Sequence, residues 1–481
     1  MTSLTTRPTL RLEIKEFLKL AIPLSSAQVA QAATGFVDTI MMGHLGAETL
    51  AAGGLAATLF YVLMTAVTGT VMGASPLVAQ AFGAGQTPRI RQIAGQALWL
   101  ALMMSIPVMV LTAHLGTWLG HTGQSETTVV LVSRYLSIIL WGLFPAAGFG
   151  ALRATASALS EARPVMVIVV LGTVFNILGN YSLGFGKFGL PRLELAGLAV
   201  SSMLTLWGMF IAMGLYVCLH PRLKTYRLFA GLHRLKPRTL RRLIWVGLPI
   251  GVFSALESGF FMVIMFWMGL LGTEVLAAHQ IVFQTIIIVF MVPMGVSYAA
   301  TVRVGQWLGR GSIEGVRRAI AVSASASVLF MTIPSALFLL FPTGIVSLFL
   351  DVSDPGNAEI VAIAKPLLMI GATVQIFDGF QKAIYGALQG LQDTQVPTLL
   401  NILGFWGVGL SVGYVLGFGL GLGGPGLWLG QSSAIAVVAF LFTHRLWRLT
   451  QRLQPPPATA TVMNGTVEAL PDTGCRTAPL P

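Results

Sequence analysis

Long apolar runs, broken by short polar loops, set the frame of this chain. Twelve runs can be drawn, near 17–42, 49–82, 93–114, 128–152, 164–184, 195–219, 243–269, 276–304, 318–341, 359–389, 396–417 and 426–447. Each can cross a bilayer as a helix, since about 20 apolar residues span its hydrocarbon core. The pattern predicts an all-α polytopic membrane protein.

The runs also repeat. Shifting 243–311 back by 226 positions lays it, without a gap, on 17–85. Pro249 then falls on Pro23, Gly269 on Gly43, Gly272 on Gly46, Gly295 on Gly69, Gln306 on Gln80, and Gly309 and Gly311 on Gly83 and Gly85. Each copy holds an even number of spans, so both enter the membrane in the same direction. That is a parallel repeat about an axis along the membrane normal, an arrangement that places transporter sites near the repeat interface. Five segments follow: an N-terminal segment 1–16, a first half 17–219, a basic linker 220–242, a second half 243–447, and a Pro-, Thr- and Ala-rich tail 448–481 expected to be disordered.

Charge orients the spans. The N-terminal end holds Arg7, Arg11, Lys15 and Lys19. Arg89, Arg91, Arg153 and Arg163 are assigned to the next loops on that side, with the linker's basic residues, Arg303, Arg310, Arg317 and Arg318, and finally Arg445, Arg448 and Arg452. Opposite loops carry little beyond Lys187 and Arg192. Basic loops stay cytoplasmic, so both termini are expected there. No short apolar core with a small-residue cleavage site opens the chain, and the first span reads as a permanent anchor.

Composition agrees. The chain is 55% hydrophobic and 10% charged, against about 25% charged in soluble domains. Its net charge of +12 would suggest nucleic-acid binding in a soluble protein; here it is loop charge, and no nucleic-acid partner is expected. Cys218 and Cys475 form neither a disulfide framework nor a metal motif.

Three acids lie well inside spans: Asp38, Glu257 and Asp378. A charge at the bilayer centre costs about 2.5–3.5 kcal/mol on insertion scales, so such groups default to function. The alternative for each is a neutral carboxyl bonded to a neighbouring helix. Lys382 follows Asp378 by four residues, the favourable acid-first order for a local pair; that pair could be structural, or Lys382 could tune the acid or compete with a cation for it. In the repeat, Gln31 stands at the position of Glu257 and Ile264 at that of Asp38, so the halves share a scaffold but not a site.

Polar stripes add candidates. Gly172, Asn176, Asn180 and Gly184 recur every four residues, either a packing seam or an oxygen-bearing wall beside Asp38. Gln280 and Gln284 repeat that spacing beside His279, which reads as a hydrogen-bonded filler before a proton shuttle. Gly409, Gly413 and Gly417 read as a helix contact. Phe and Met side chains could offer ring faces to flat cations. No GxxxxGK[ST] loop or HExxH pair occurs. The GxGxxG match at 419–424 joins two apolar helices and is a turn.

At this point the chain resembles the multidrug and toxic compound extrusion (MATE) transporters, in particular their bacterial NorM-like branch. The segments "VDTIMMGHLGAETLAA", "PLVAQAFGAG", "FNILGNYSLGFGKFGLP", "LAAHQIVFQ", "MGVSYAATVRVGQWLGRG" and "FDGFQKAIYGALQGLQDTQVP" carry the likeness across both halves. The resemblance implies twelve helices in two six-helix lobes, a cavity between them, and cation-driven export of organic, often cationic compounds. By matching residues, Asp38 and Asn176 resemble the acid and amide of the N-lobe, and Glu257 and Asp378 the coupling acids of the C-lobe. Lys382 and Gln389 depart from the pattern, standing where an uncharged residue and an Arg are expected.

The expected function is antiport by alternating access in the bacterial inner membrane. Asp38, Glu257 and Asp378 would couple to Na⁺ or H⁺, with Na⁺ held at Glu257 and Asp378 or at Asp38 and Asn176. Gln31, Asn176, Asn180, Gln280, Gln284 and Lys382 would line the cavity. No cofactor beyond the coupling ion is expected, and the partners are small organic cations and membrane lipid around a monomer. The rivals are a flippase for lipid-linked or polysaccharide precursors, which would need cations inside the spans (Lys382, Arg134 and Lys365 are the candidates); a membrane enzyme, which lacks a nucleophile–base set; and a non-transporting receptor.

Overall fold

The twelve long helices of the protein pair off as the repeat requires. In a computed structural model describing residues 9–113, 126–232 and 234–453 they are α1 (Leu10–Leu45), α2 (Glu48–Gly83), α3 (Thr87–Thr112), α4 (Glu126–Ala158), α5 (Arg163–Gly184), α6 (Leu195–Leu219), α7 (Pro237–Leu270), α8 (Thr273–Gly309), α9 (Ile313–Leu340), α10 (Pro355–Gly390), α11 (Gln395–Gly419) and α12 (Gly423–Arg452). No strand occurs among the described residues. Eleven of the helices are long and apolar enough to cross a membrane. The remaining one, α1, is long enough but carries Ser25, Ser26, Gln28, Gln31 and Thr34 along its middle. It begins at Leu10, inside the segment read as a polar N-terminus. The tail after Leu453, with Cys475, lies outside the described residues.

Backbone geometry repeats with the sequence. Gly46 (φ 129°, ψ 159°) joins α1 to α2, and Gly272 (φ 133°, ψ 162°) joins α7 to α8. Gly85 and Gly311 both take φ 70° after α2 and α8. Side chains avoid these angles, so glycine holds both pairs of corners.

Helices α1–α6 and α7–α12 form two lobes that meet along a seam at the end bearing α1's start and α12's finish. The seam is reciprocal. A Cβ on Gly83 would strike the backbone oxygen of Gln306, and one on Gly309 would strike that of Gln80. Likewise Gly69 lies against Gly251, and Gly295 against Ser25, the repeat partner of Gly251. Small residues allow such close backbone approach between membrane helices. Every hydrogen bond between the lobes among the described residues falls in this half, including Ser25 Oγ to the Val292 carbonyl at 3.0 Å. Past the seam the buried face of α1 ends: its buried residues run from Glu13 to Gln28, with only Met42 beyond. The lobes therefore close at one end and part towards the other.

Candidate functional site

Asp38 sits in the parted half of α1, half-buried. The wall facing it is α5. Asn180 Nδ2 donates to Asp38 Oδ1 at 2.5 Å and to Asn176 Oδ1 at 3.1 Å. Asn176 Nδ2 donates to Ser202 Oγ at 3.0 Å, and its own carbonyl accepts from Ser201 Oγ at 3.0 Å. Both amides are buried. Of the two amides read as a wall beside the acid, Asn180 is the direct partner and Asn176 stands one turn behind it. From Asn180 to Gly184 α5 widens into a π turn, a feature that recurs at functional sites. The glycines of the same stripe pack on α6, Gly172 against Met209 and Gly184 against Leu198. One stripe of α5 thus serves as both packing seam and oxygen-bearing wall. Asn180 Oδ1 is buried with no hydrogen-bond partner, and Asp38 has no ion pair among the described residues. Carboxylate and amide oxygens without a fixed cation are the donor set of a hard cation, or of a proton.

The C-lobe is built differently. Glu257 lies midway along α7, and the side chain of Lys382 reaches it from α10. Lys382 Nζ donates to Glu257 Oε1 at 2.5 Å and Oε2 at 2.7 Å. The ammonium also lies 5.2 Å from the ring centres of both Phe253 and Phe290. Lys382 is 2% exposed and Glu257 15%. Asp378 is half-buried and makes no ion pair within 4.0 Å. The local Asp378–Lys382 pair considered from spacing is therefore not formed. Instead, α7 brings both oxygens of Glu257 directly to the ammonium.

The other predicted residues divide. Gln31 is exposed in the parted half of α1, and Gln284 is half-buried on α8. Gln280 Nε2 donates to Met265 Sδ of α7 at 3.5 Å, a contact within the lobe. His279 is buried and accepts from Trp428 Nε1 at 3.2 Å, the hydrogen-bonded reading. Gly409, Gly413 and Gly417 pack on Ala434, Gly430 and Leu427 of α12, the helix contact expected of them. No group of three or more His, Cys, Asp or Glu able to hold a metal occurs among the described residues.

Two arginines assigned to loops prove to be interior. Arg303 is 5% exposed within α8. Its Nε donates to Glu13 Oε1 at 2.8 Å and its Nη2 to Glu13 Oε2 at 2.5 Å, while Trp307 Nε1 reaches the same oxygen at 2.8 Å. Arg153 is buried in α4, donates to Gln28 Oε1 at 3.1 Å and lies 5.3 Å from the ring centre of Tyr298. Gln306 Nε2 ties the seam to the Ala158 carbonyl at 2.9 Å, and Gln392 bonds Gln80. Sequence reasoning missed this ionic seam; its one signal was Glu13, an acid among basic residues at the start of α1.

Comparison with known proteins follows the same division. The MatE family model matches twice, over residues 23–182 and 249–415, each match opening on one of the repeat-related prolines. A protein of Synechocystis named "Probable multidrug resistance protein NorM" is 47% identical over 457 residues, covering 95% of this chain and 99% of that one. A Pseudomonas aeruginosa protein of the same name is 38% identical over 443 residues, 92% of this chain and 91% of the other. Among solved structures, a MATE protein in complex with MaL6 superposes with TM-score 0.82 at 19% identity, covering 93% of this chain and 99% of that one. An outward-facing multidrug resistance MATE transporter of the MOP superfamily gives 0.81 at 20%, with 92% and 96% covered.

Proposed function

The chain belongs to the MatE family and is a multi-pass membrane transporter, and from this premise we propose that it is a secondary active multidrug exporter. It antiports organic, often cationic compounds against Na⁺ or H⁺ by alternating access between its lobes. The names of its relatives support the substrate class. The observation that carries the reading is Asp38: an acid in the parted half, held by Asn180 and lacking a fixed counter-ion. An ion and a cationic substrate compete for such a charge. With basic loops on the seam side, that side is cytoplasmic, and the parted half faces outward. Ion binding from outside neutralises the acid and releases substrate; its loss inside restores affinity. Coupling needs only that the two guests exclude one another, or favour different conformations.

The flippase reading loses one of its three candidate cations, because Lys382 is engaged by Glu257. The test is export of a fluorescent organic cation from proteoliposomes carrying only a Na⁺ gradient or only a pH gradient. Antiport predicts that at least one drives export; if neither does, the proposal fails.

A further inference from the structure

The two lobes treat their acids in opposite ways, and this difference bears on the coupling ion. Asp38 meets neutral amides. Glu257 meets a built-in ammonium that touches both its oxygens, at 2.5 and 2.7 Å. The ammonium is packed between Phe253 and Phe290, at 5.2 Å from each ring centre, in a setting that suits a cation on its own account. Carboxylate and ring faces make a complete seat for one positive charge, and the seat is filled.

We infer that Lys382 is the resident counter-ion of Glu257 and excludes Na⁺ from that carboxylate, making Lys382 a determinant of ion selectivity. This rests on the reading of the protein as an ion-driven exporter and narrows it. Two physical arguments support the exclusion. A Na⁺ ion at Glu257 would share the carboxylate with an ammonium already in contact, so like charges would meet in a poorly solvated interior. Nor can Lys382 readily step aside. It is 2% exposed, and Asp378, four residues before it on the same helix, is not within ion-pair distance. Leaving Glu257 would deprive that carboxylate of the only cation in contact with it among the described residues. The residues at Glu257 therefore do not fit the Na⁺ site that resemblance suggested for the C-lobe. In the repeat, Gln31 stands where Glu257 does; one half lacks the acid, the other carries its own cation.

The experiment measures ²²Na⁺ binding to the purified full-length protein for the wild type, Lys382→Gln, Glu257→Gln and the paired neutral variant Glu257→Gln/Lys382→Met. Wild type and the paired variant should bind Na⁺ alike, within about threefold, and Lys382→Gln should gain about tenfold or more, a change worth about 1.4 kcal/mol per decade. That gain should vanish in Glu257→Gln/Lys382→Gln. The inference is overturned if the paired variant binds Na⁺ more than about threefold more weakly than wild type, or if a folded Lys382→Gln shows no gain. Where a single variant misfolds, the comparison of wild type with the paired variant decides. Export assays under separate gradients keep this apart from the function itself: export driven by neither gradient sinks the antiport reading, whereas Glu257-dependent Na⁺ binding in wild type sinks only the inference.

Discussion

Glu13 and Arg303, one in each lobe, grip each other through two parallel hydrogen bonds of 2.8 and 2.5 Å across the seam. Both are almost wholly buried. Removing one partner of such a pair costs about 3–5 kcal/mol, because the other charge stays behind, whereas replacing both by apolar groups can be neutral. Glu13→Gln should lower the thermal unfolding temperature well below that of Glu13→Leu/Arg303→Met. The same single variant should make cysteines placed on the seam side of α1 more reactive from the cytoplasm. Equal unfolding temperatures for the single and paired variants would show that the pair carries no buried-charge penalty.

Within the C-lobe the same logic applies to Glu257 and Lys382. Glu257→Gln and Lys382→Met should each destabilise by about 3 kcal/mol or more, and the two together by less than either alone. A double-variant cycle on thermal stability reads the coupling directly. Additive losses would mean that the contact is not an ion pair in the folded protein.

At the N-lobe site, Asp38→Asn should abolish ion-driven export while leaving the protein folded, since an amide keeps the shape but not the charge. Asn180→Ala removes a bond to a charged group, worth about 1.5–3 kcal/mol, and should weaken export by about tenfold or more. Asn176→Ala, acting only through Asn180, should do less. The order of the two amide variants, measured as initial export rate, separates direct contact from support.

The seam glycines make a structural prediction. Gly83→Ala and Gly309→Ala each press a methyl group onto a backbone oxygen, and overpacking of this kind costs about 1–3 kcal/mol. Their effects on thermal stability should match, because the contacts are repeat-related. Gly54→Ala, with nothing within 4 Å of the new carbon, is the control and should be near neutral.

Much of this was legible in the chain. The 226-residue offset exposed the duplication because glycine and proline are demanded by backbone angles and close approach, and such demands survive in sequence. Gly46 and Gly272 are an example, as are Gly83 and Gly309. Asp38 and Glu257 were legible because an acid in an apolar run is costly. What was not legible is which side chains meet between helices. Spacing offered Lys382 a neighbour on its own helix, and packing gave it one on another. Periodicity placed Asn176 and Asn180 on one face, but only packing against α1 shows that Asn180 is the one that reaches Asp38. Arg303 looked like a loop residue because α8 runs farther than its apolar stretch, carried inward by the acid that meets it.

The reciprocal seam also sets how far the two copies could drift since the duplication that made them. Gly83 and Gly309 are each read by the other half's backbone, so neither could change without obstructing its sister. Inside each lobe no such mutual surveillance operates. Gln31 and Glu257, or Asp38 and Ile264, occupy equivalent places and are different residues. The same glycines thus persist at the seam of both copies, while the acids inside the two lobes stand at different positions.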